Sequence, residues 1–180
     1  MERLRLRLRA ATSPLHERVD AAFSSFELGS LDGYRAFLRA HAQVLVPLEI
    51  ELEASGIETL LVDWPQRSRR RQLLADLAEL DDSAPWPESS ATPQEPGWCW
   101  GAVYVIEGSR LGGRVLAKRV AEANPNAPLR YLGFSDAMPS WPAFIDQLDR
   151  QAAAYPWNDV LAGACEVFER FVHAAQTQRR

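Results

Sequence analysis

The chain contains little of what defines several classes of small protein. It has 2 cysteines in 180 residues, Cys99 and Cys165, too few and too far apart in sequence for a disulfide framework or a zinc site. Its net charge of -4, with both signs interspersed, gives no overall attraction to nucleic acid or to an anionic membrane. We therefore expect two buried thiols without a disulfide, and no nucleic-acid partner.

Long apolar runs are also missing. No stretch reaches the ~18 consecutive apolar residues of a membrane span. The N-terminus alternates arginine with leucine, whereas a secretion signal would place a basic end before an apolar core. These absences predict a cytoplasmic protein that does not enter the membrane.

Helical periodicity is what the chain does contain. With 180 residues, 47% of them hydrophobic, it is long enough for one globular domain with a substantial core, spanning 1–180. Four segments rich in Pro, Asp, Ser and Asn are interpreted as connectors, namely 60–67, 82–96, 124–140 and 154–158. Between them, apolar residues recur at steps of three and four, which predicts an all-α bundle of about six helices.

Most helix boundaries follow from this pattern. We expect a first helix whose apolar face is formed by Leu4, Leu8, Ala11, Leu15 and Val19. The second helix is expected over about 30–55, the third begins near 67, and the fourth ends at about 123. Two more are expected over 141–154 and 158–176. Pro14 should bend or restart the first helix with Ser13 as its cap. The capping-box spacing of Thr92 and Glu95 should introduce the fourth helix. The arginines at 67, 69, 70 and 71 should face water.

The fourth helix has an unusual composition. The segment 101–114 is nearly uncharged, yet it holds four of the chain's 10 glycines, and each interior glycine costs a helix roughly 1 kcal/mol relative to alanine. Gly101, Gly108 and Gly112 lie seven and four residues apart and therefore share one face. That face can accept either a flat ligand or another backbone in close contact.

Three histidines are candidate ligands for a planar cofactor at this face. His16 lies at the margin of the apolar face of the first helix, where it could point into a partly polar crevice or into solvent. His41 lies within an apolar face, which favours a buried imidazole bonded to a carbonyl. His173, near the end of the last helix, is most simply a solvated side chain that favours the helix dipole.

Two motifs then resemble those of a known family. Residues 8–20, LRAATSPLHERVD, resemble the proximal helix of the haem oxygenases, and residues 104–113, YVIEGSRLGG, resemble their distal helix. Their order, their separation and the chain length agree with the bacterial type that often accompanies phytochromes. The resemblance implies a helical fold with haem between the two helices. It also implies an enzyme that converts haem, with O2 and electrons from a ferredoxin or an NADPH-dependent reductase, to biliverdin, carbon monoxide and ferrous iron.

The same resemblance implies roles for individual residues. His16 would bind the haem iron, and Gly108 and Gly112, followed by Gly113, would line the opposite side. Ser109 stands where animal members have an aspartate that anchors distal water. Its hydroxyl can hold water but supplies no charge, so Glu107 or Arg110 could contribute to proton delivery, or Ser109 could simply bond back to its own turn.

The edge of a haem pocket needs cations for the two propionates. Arg9, two helical turns before His16, matches the family position of a basic propionate partner, and Arg170 or His173 could supply a second cation. Phe168 would contribute to the pocket wall or to the core. The basic face of the first helix, with the arginines of 67–71, could receive an acidic electron donor or be a solvated surface. A phytochrome could accept the bilin product.

Two other functions remain compatible with these residues. The chain could be a non-catalytic haem or bilin carrier with the same fold, in which Ser109 does not organise distal water. It could also be a helical interaction module in which the glycines only permit close helix packing. Haem binding separates the last alternative from the others, and turnover separates the carrier from the enzyme.

Overall fold

The computed structural model describes residues 3–82, 86, 92–133 and 140–178. Their helices, in chain order, are α1 (Leu4–Phe23), α2 (Leu31–Ala54), α3 (Ile57–Leu60), α4 (Trp64–Arg67), α5 (Arg70–Glu79), α6 (Pro96–Ala123), α7 (Arg130–Gly133), α8 (Trp141–Gln151) and α9 (Trp157–Gln178), with one 3-10 turn after α8. Within these residues no strand is present, as the periodicity predicts. The described part of the chain also has no helix with the length and apolarity that a bilayer crossing requires.

Helix α9 is the central element, and α1, α2 and α6 all pack on it. Glycines allow α6 and α9 to approach backbone to backbone. A Cβ on Gly101 would stand 1.9 Å from the Val160 carbonyl oxygen, and one on Gly163 would stand 2.1 Å from that of Trp98. The interaction-module interpretation was therefore correct about Gly101, since its missing side chain is required for packing.

Helices α1 and α6 run in the same direction as α9. Arg7 stacks on the Trp157 ring near the start of both helices, and Arg18 pairs with Glu169 further along both. Residues later in α1 therefore contact residues later in α9, as in a parallel pair. Gly97 lies against Asp159 and Gly101 against Ala164, which shows the same direction for α6. Two helices of equal direction thus flank a third, with α8 packed across the first part of both.

Several expected helix boundaries were wrong. The first helix does not restart, because α1 continues through Pro14 and its packing on α9 outweighs the one hydrogen bond that proline cannot make. Thr92 does not cap α6; Glu95 is the N-cap residue, without a side-chain cap bond, and Pro96 at the first helical position presets the backbone. Ser30 does cap α2, through a bond accepted from Gly33 N–H.

The outward orientation expected for the arginines of 67–71 was also wrong. Arg67 and Arg69 are buried, Arg70 is half-buried and only Arg71 is exposed. Carboxylates on α2 and α6 compensate the buried charges, a tertiary arrangement that helix periodicity does not encode. Cys99 is buried and Cys165 half-buried, both without a disulfide.

Candidate functional site

A cleft separates α1 from α6, with α9 as its floor. Both helices pack on α9, yet within the described residues they have at most marginal contact with each other. His16 lies beside Phe168 of α9, with 5.9 Å between the ring centroids. Since Gly101 lies against Val160 and Ala164, advancing seven residues along each parallel helix brings Gly108 to about the level of Phe168. The two walls thus present His16 and Gly108 at similar heights.

His16 is positioned by its own helix and by α9. Its side chain is 62% exposed, and its Nδ1 lies 3.1 Å from Oδ2 of Asp20, one turn further along α1. An ionised carboxylate can only accept a hydrogen bond, so the proton of a neutral His16 imidazole lies on Nδ1 and the lone pair of Nε2, across the ring, stays free. The sequence motif identified His16 but not its partner, although the spacing of four residues was a usable signal.

The glycines of α6 face different surroundings. A Cβ on Gly108 would lie at ordinary contact distance, 3.6 Å, from the indole ring of Trp141. One on Gly112 would meet no atom within 4 Å beyond its own stretch of helix. One on Gly113 would stand 3.3 Å from the Leu132 carbonyl oxygen of α7, so we assign the bare surface of Gly113 to packing.

An apolar strip continues the bare face of α6. Leu111 is 58% exposed and Val115 is 71% exposed, and they follow Gly108 and Gly112, respectively, by three residues, so each lies on nearly the same side of the helix as its glycine. Large apolar side chains that adjoin a bare backbone surface mark a binding site more specifically than scattered ones. A flat apolar ligand that covered this strip would meet bare backbone at Gly112, whereas at Gly108 the Trp141 indole already lies at contact distance.

Ser109 is already engaged in hydrogen bonds. Its hydroxyl donates to the Ile106 carbonyl at 2.7 Å, the local back-bond considered from the sequence, and accepts from Nη2 of Arg69 at 3.0 Å. The proposed substitutes are engaged too. Glu107 is buried and accepts from Nη1 of Arg67 at 2.8 Å, and Nη2 of Arg110 donates to the Arg67 carbonyl at 2.6 Å.

The cations suggested for the pocket edge differ in their surroundings. Arg9 is exposed, and its charge opposes the rise that burial causes in the pKa of Tyr104, so the two side chains are near enough to interact electrostatically. Arg170 instead bonds Glu51 at 2.7 Å and is also paired with Glu166. Its charge is therefore neutralised there. His173 is exposed, 140° around α9 from Phe168 at ~100° per residue.

An aromatic cluster surrounds His41 between α1, α2 and α9. Nδ1 of His41 donates to the Phe37 carbonyl at 3.0 Å, the carbonyl bond expected from the sequence. Burial lowers the pKa of His41 to about 4, with the Phe37 bond opposing and the Arg69 charge adding to the shift. The Arg69 guanidinium lies 5.0 Å from the centroid of the Tyr131 ring. Sequence reasoning missed Arg69 and Tyr131, because only the tertiary fold brings α5 and α7 to α6.

Comparisons with known proteins agree with this geometry. The chain is 34% identical over 148 residues, 78% of this chain and 87% of the relative, to a heme oxygenase of Xanthomonas campestris. It is 28% identical over 179 residues to heme oxygenase PigA of Pseudomonas aeruginosa, covering 92% and 87% of the two chains. No family profile matches the chain.

Solved structures share the fold. A heme oxygenase from Neisseria meningitidis, determined with NO and CO bound, superposes with a TM-score of 0.79 at 20% identity, covering 99% of this chain and 92% of that one. A heme oxygenase from Leptospira interrogans superposes with a TM-score of 0.72 at 22% identity, covering 98% and 100% of the two chains.

Proposed function

Since this chain belongs to the haem oxygenase family and is a haem-degrading enzyme, we propose that it holds haem in the cleft between α1 and α6 and cleaves it to biliverdin, carbon monoxide and ferrous iron. The observation that carries the proposal is the pairing of an exposed histidine on one wall with the bare backbone and apolar strip of Gly108, Leu111, Gly112 and Val115 on the other. We take the whole chain, 1–180, as one such domain.

His16 would bind the iron through Nε2. Asp20 would hold the Nδ1 proton at 3.1 Å, which orients the ring and raises the basicity of the ligating nitrogen. Phe168, packed beside the imidazole, would restrict its rotation and form part of the cleft floor. Haem, when bound, supplies the redox chemistry that activates O2, and its own porphyrin ring is the bond system that is broken.

Gly108 and Gly112 would let the α6 backbone approach the haem face closely. The close backbone would limit the positions that O2 can take, and the missing side chains would leave room for ordered water. The Ser109 hydroxyl would act as an acceptor that anchors such water, because its proton is committed to the Ile106 carbonyl. Arg9, an exposed cation two helical turns before His16, would pair with a propionate.

Electrons would arrive from an acidic ferredoxin or an NADPH-dependent reductase in the cytoplasm. The exposed arginines Arg3 and Arg7 of α1 support docking of an acidic donor, whereas the buried Arg67 and Arg69 cannot contribute to such a surface. Reversal of Arg3 and Arg7 to Glu should slow donor-driven turnover and reduce its salt dependence. It should leave turnover with ascorbate unchanged. A phytochrome as bilin acceptor is compatible with the family type that the sequence resembles.

The test is single-turnover haem degradation. Purified protein with one equivalent of ferric haem, ascorbate, air and catalase should lose its Soret band and gain the broad red absorption of biliverdin. His16→Ala should abolish both the histidine-ligated spectrum and the product, and added imidazole should partly restore them. His173→Ala, an exposed histidine on another side of α9, is the matched control and should behave as wild type.

The other outcomes identify the alternatives. A stable haem complex that yields no bilin, with ascorbate or with a ferredoxin system, would identify a haem carrier. Absence of haem binding would identify an interaction module in which the glycines serve packing alone. An unchanged haem spectrum in His16→Ala would refute the ligand assignment whatever the activity.

A further inference from the structure

Arg67 lies in a buried ion cluster beside α6. Its side chain is 0% exposed, and two of its nitrogens donate to the two carboxylate oxygens of Asp63, each at 2.8 Å. The third nitrogen donates to Oε2 of Glu107 at 2.8 Å. Burial lowers the pKa of Arg67, but the bonds and charges of Asp63 and Glu107 outweigh it and raise the pKa overall. Arg67 is therefore a permanent cation that joins α4 to α6.

Two more arginines join the same segments. Nη2 of Arg69 donates to the Ile106 carbonyl at 2.9 Å as well as to the Ser109 hydroxyl. In the reverse direction, Arg110 of α6 donates to the Arg67 carbonyl. Residues 106, 107, 109 and 110 of α6 are thus all tied to residues 67–69, and Gly108 is the one position among them without a side chain.

The helical positions of these ties determine where Gly108 faces. At ~100° per residue, the four tied residues centre on one side of α6, and Gly108 lies about 180° from that centre. Gly112, four residues further on, lies about 40° from Gly108. The ties therefore centre on the side of α6 opposite Gly108, with Ser109 at their edge, about 60° from Gly112. Ties of this kind resist rotation of the helix about its own axis.

The segment that receives α6 is itself anchored to α2. Glu49 is fully buried and accepts hydrogen bonds from the backbone N–H of Arg69 at 2.7 Å and of Arg70 at 3.1 Å. It also accepts from the Ser68 hydroxyl at 2.5 Å. Glu49 thus holds the turn between α4 and α5 on α2, and Arg67, Arg69 and Arg110 link that turn to the bare part of α6.

A buried ion cluster is an inefficient means of adding stability, because desolvation of the charges offsets their attraction. It does make the arrangement specific, since any rotation of α6 would leave buried charges unpaired. Segment 101–113 needs such a restraint, because its four glycines give the backbone more conformational freedom than an ordinary helix has.

On the basis of the proposed function, we infer that the Asp63–Arg67–Glu107 triad is a positioning device that sets the rotation of α6, so that Gly108 and Gly112 face the haem. Glu107 and Arg67 act through the helix and touch no haem atom. By fixing the helix, they determine how close the α6 backbone lies to the reacting edge of the haem and which meso carbon stays accessible.

The main test variant is Glu107→Gln, which keeps the shape of the side chain and removes its charge. In the haem-free protein, hydrogen exchange of the amides of 106–113 should accelerate at least tenfold relative to those of α9. In the haem complex, the haem Kd should stay within about twofold, while the C–O stretching frequency of the ferrous CO complex shifts and the proportion of biliverdin isomers broadens. Asp63→Asn, at a partly exposed carboxylate, provides a milder variant if Glu107→Gln does not fold.

Glu53→Gln is the matched control. It removes a carboxylate of the same cluster that pairs with both terminal nitrogens of Arg70 and accepts from the Trp64 indole N–H, and that has no ion pair or hydrogen bond with α6 within the described residues. This variant should lose stability but leave amide exchange in 106–113, the C–O stretch and the isomer proportions unchanged. The inference is overturned if Glu107→Gln and Asp63→Asn accelerate exchange in 106–113 and in α9 equally, with the C–O stretch and the isomers as in wild type.

The exchange measurement needs no haem, so it separates this inference from the proposed function. Selective acceleration in 106–113 in a protein that degrades no haem would uphold the restraint on α6 and refute the enzymatic role. Normal haem turnover in all variants, with amide exchange accelerated equally in 106–113 and in α9, would uphold the enzymatic role and refute the restraint on α6.

Discussion

The two halves of α6 use glycine in opposite ways. In the first half, Gly101 lies against α9, where a methyl group would overlap the Val160 carbonyl oxygen. In the second half, a methyl group on Gly112 would meet nothing beyond its own stretch of helix. Both positions cost the helix the same intrinsic propensity. What compensates that cost differs: at Gly101 the helix gains close contact with α9, whereas at Gly112 the structure shows no packing gain and we propose a ligand contact instead.

The largest expected effect belongs to the packed half. Gly101→Ala should lower the free energy of unfolding by about 3 kcal/mol or more, because the new Cβ would lie 1.9 Å from a backbone oxygen that cannot move away without α9. Urea denaturation of the haem-free protein measures it. A variant as stable as wild type would show that α6 and α9 are further apart than the structure has them.

The buried aromatic cluster around His41 can be examined by titration. Burial lowers the pKa of His41 to about 4, below its value of ~6.5 in the unfolded chain. The folded state therefore disfavours the charged ring. Above pH ~6.5 the ring is neutral in both states and the free energy of unfolding is unaffected. As the pH falls from ~6.5 towards 4, protonation of the unfolded chain lowers the free energy of unfolding by about 2–3 kcal/mol.

His41→Phe should reduce the dependence of the unfolding free energy on pH between 6.5 and 4 by that amount. His173→Gln, at an exposed histidine, should retain the wild-type dependence. Identical pH profiles for wild type and His41→Phe would mean that His41 is hydrated in the folded protein.

The open half should respond to alanine in the opposite sense. Gly112→Ala should raise the free energy of unfolding of the haem-free protein by about 0.5–1 kcal/mol, since alanine favours the helix and meets no steric obstacle. Haem turnover should fall roughly tenfold to a hundredfold, because the methyl group occupies the space through which the backbone approaches the reacting centre. If the variant gains stability and keeps full turnover, the haem does not lie against Gly112.

The smallest effect concerns the apolar strip. Val115→Thr replaces a methyl group by a hydroxyl of similar size and should leave the unfolding free energy within about 0.5 kcal/mol, because the side chain is 71% exposed. It should raise the haem Kd about fivefold if haem covers this position, equivalent to ~1 kcal/mol of lost apolar burial. Val62→Thr, at a valine that is 88% exposed outside the cleft, should leave the haem Kd unchanged.

Prediction from the sequence succeeded where local pattern controls the outcome. The all-α fold and the extent of α2 and α6 follow from periodicity, and the Ser30 cap confirms a boundary set by local chemistry. Prediction failed at the arginines of 67–71. On a helical wheel they form a solvated face, but α4 ends at Arg67 and α5 begins at Arg70, so the turn between them directs charged side chains inward. Partners as distant in sequence as Glu49 and Glu107 made that burial possible.

By itself, the sequence determined the helical class, the two motifs that carry the family resemblance, and the selection of His16 as the proposed iron ligand, because each depends on residues close together in the chain. Only the tertiary structure decided which glycines pack and which stay bare, which arginines are buried, and which side of α6 faces the cleft. Those properties depend on contacts between helices that are far apart in sequence, and the periodicity of a single helix carries no record of its neighbours.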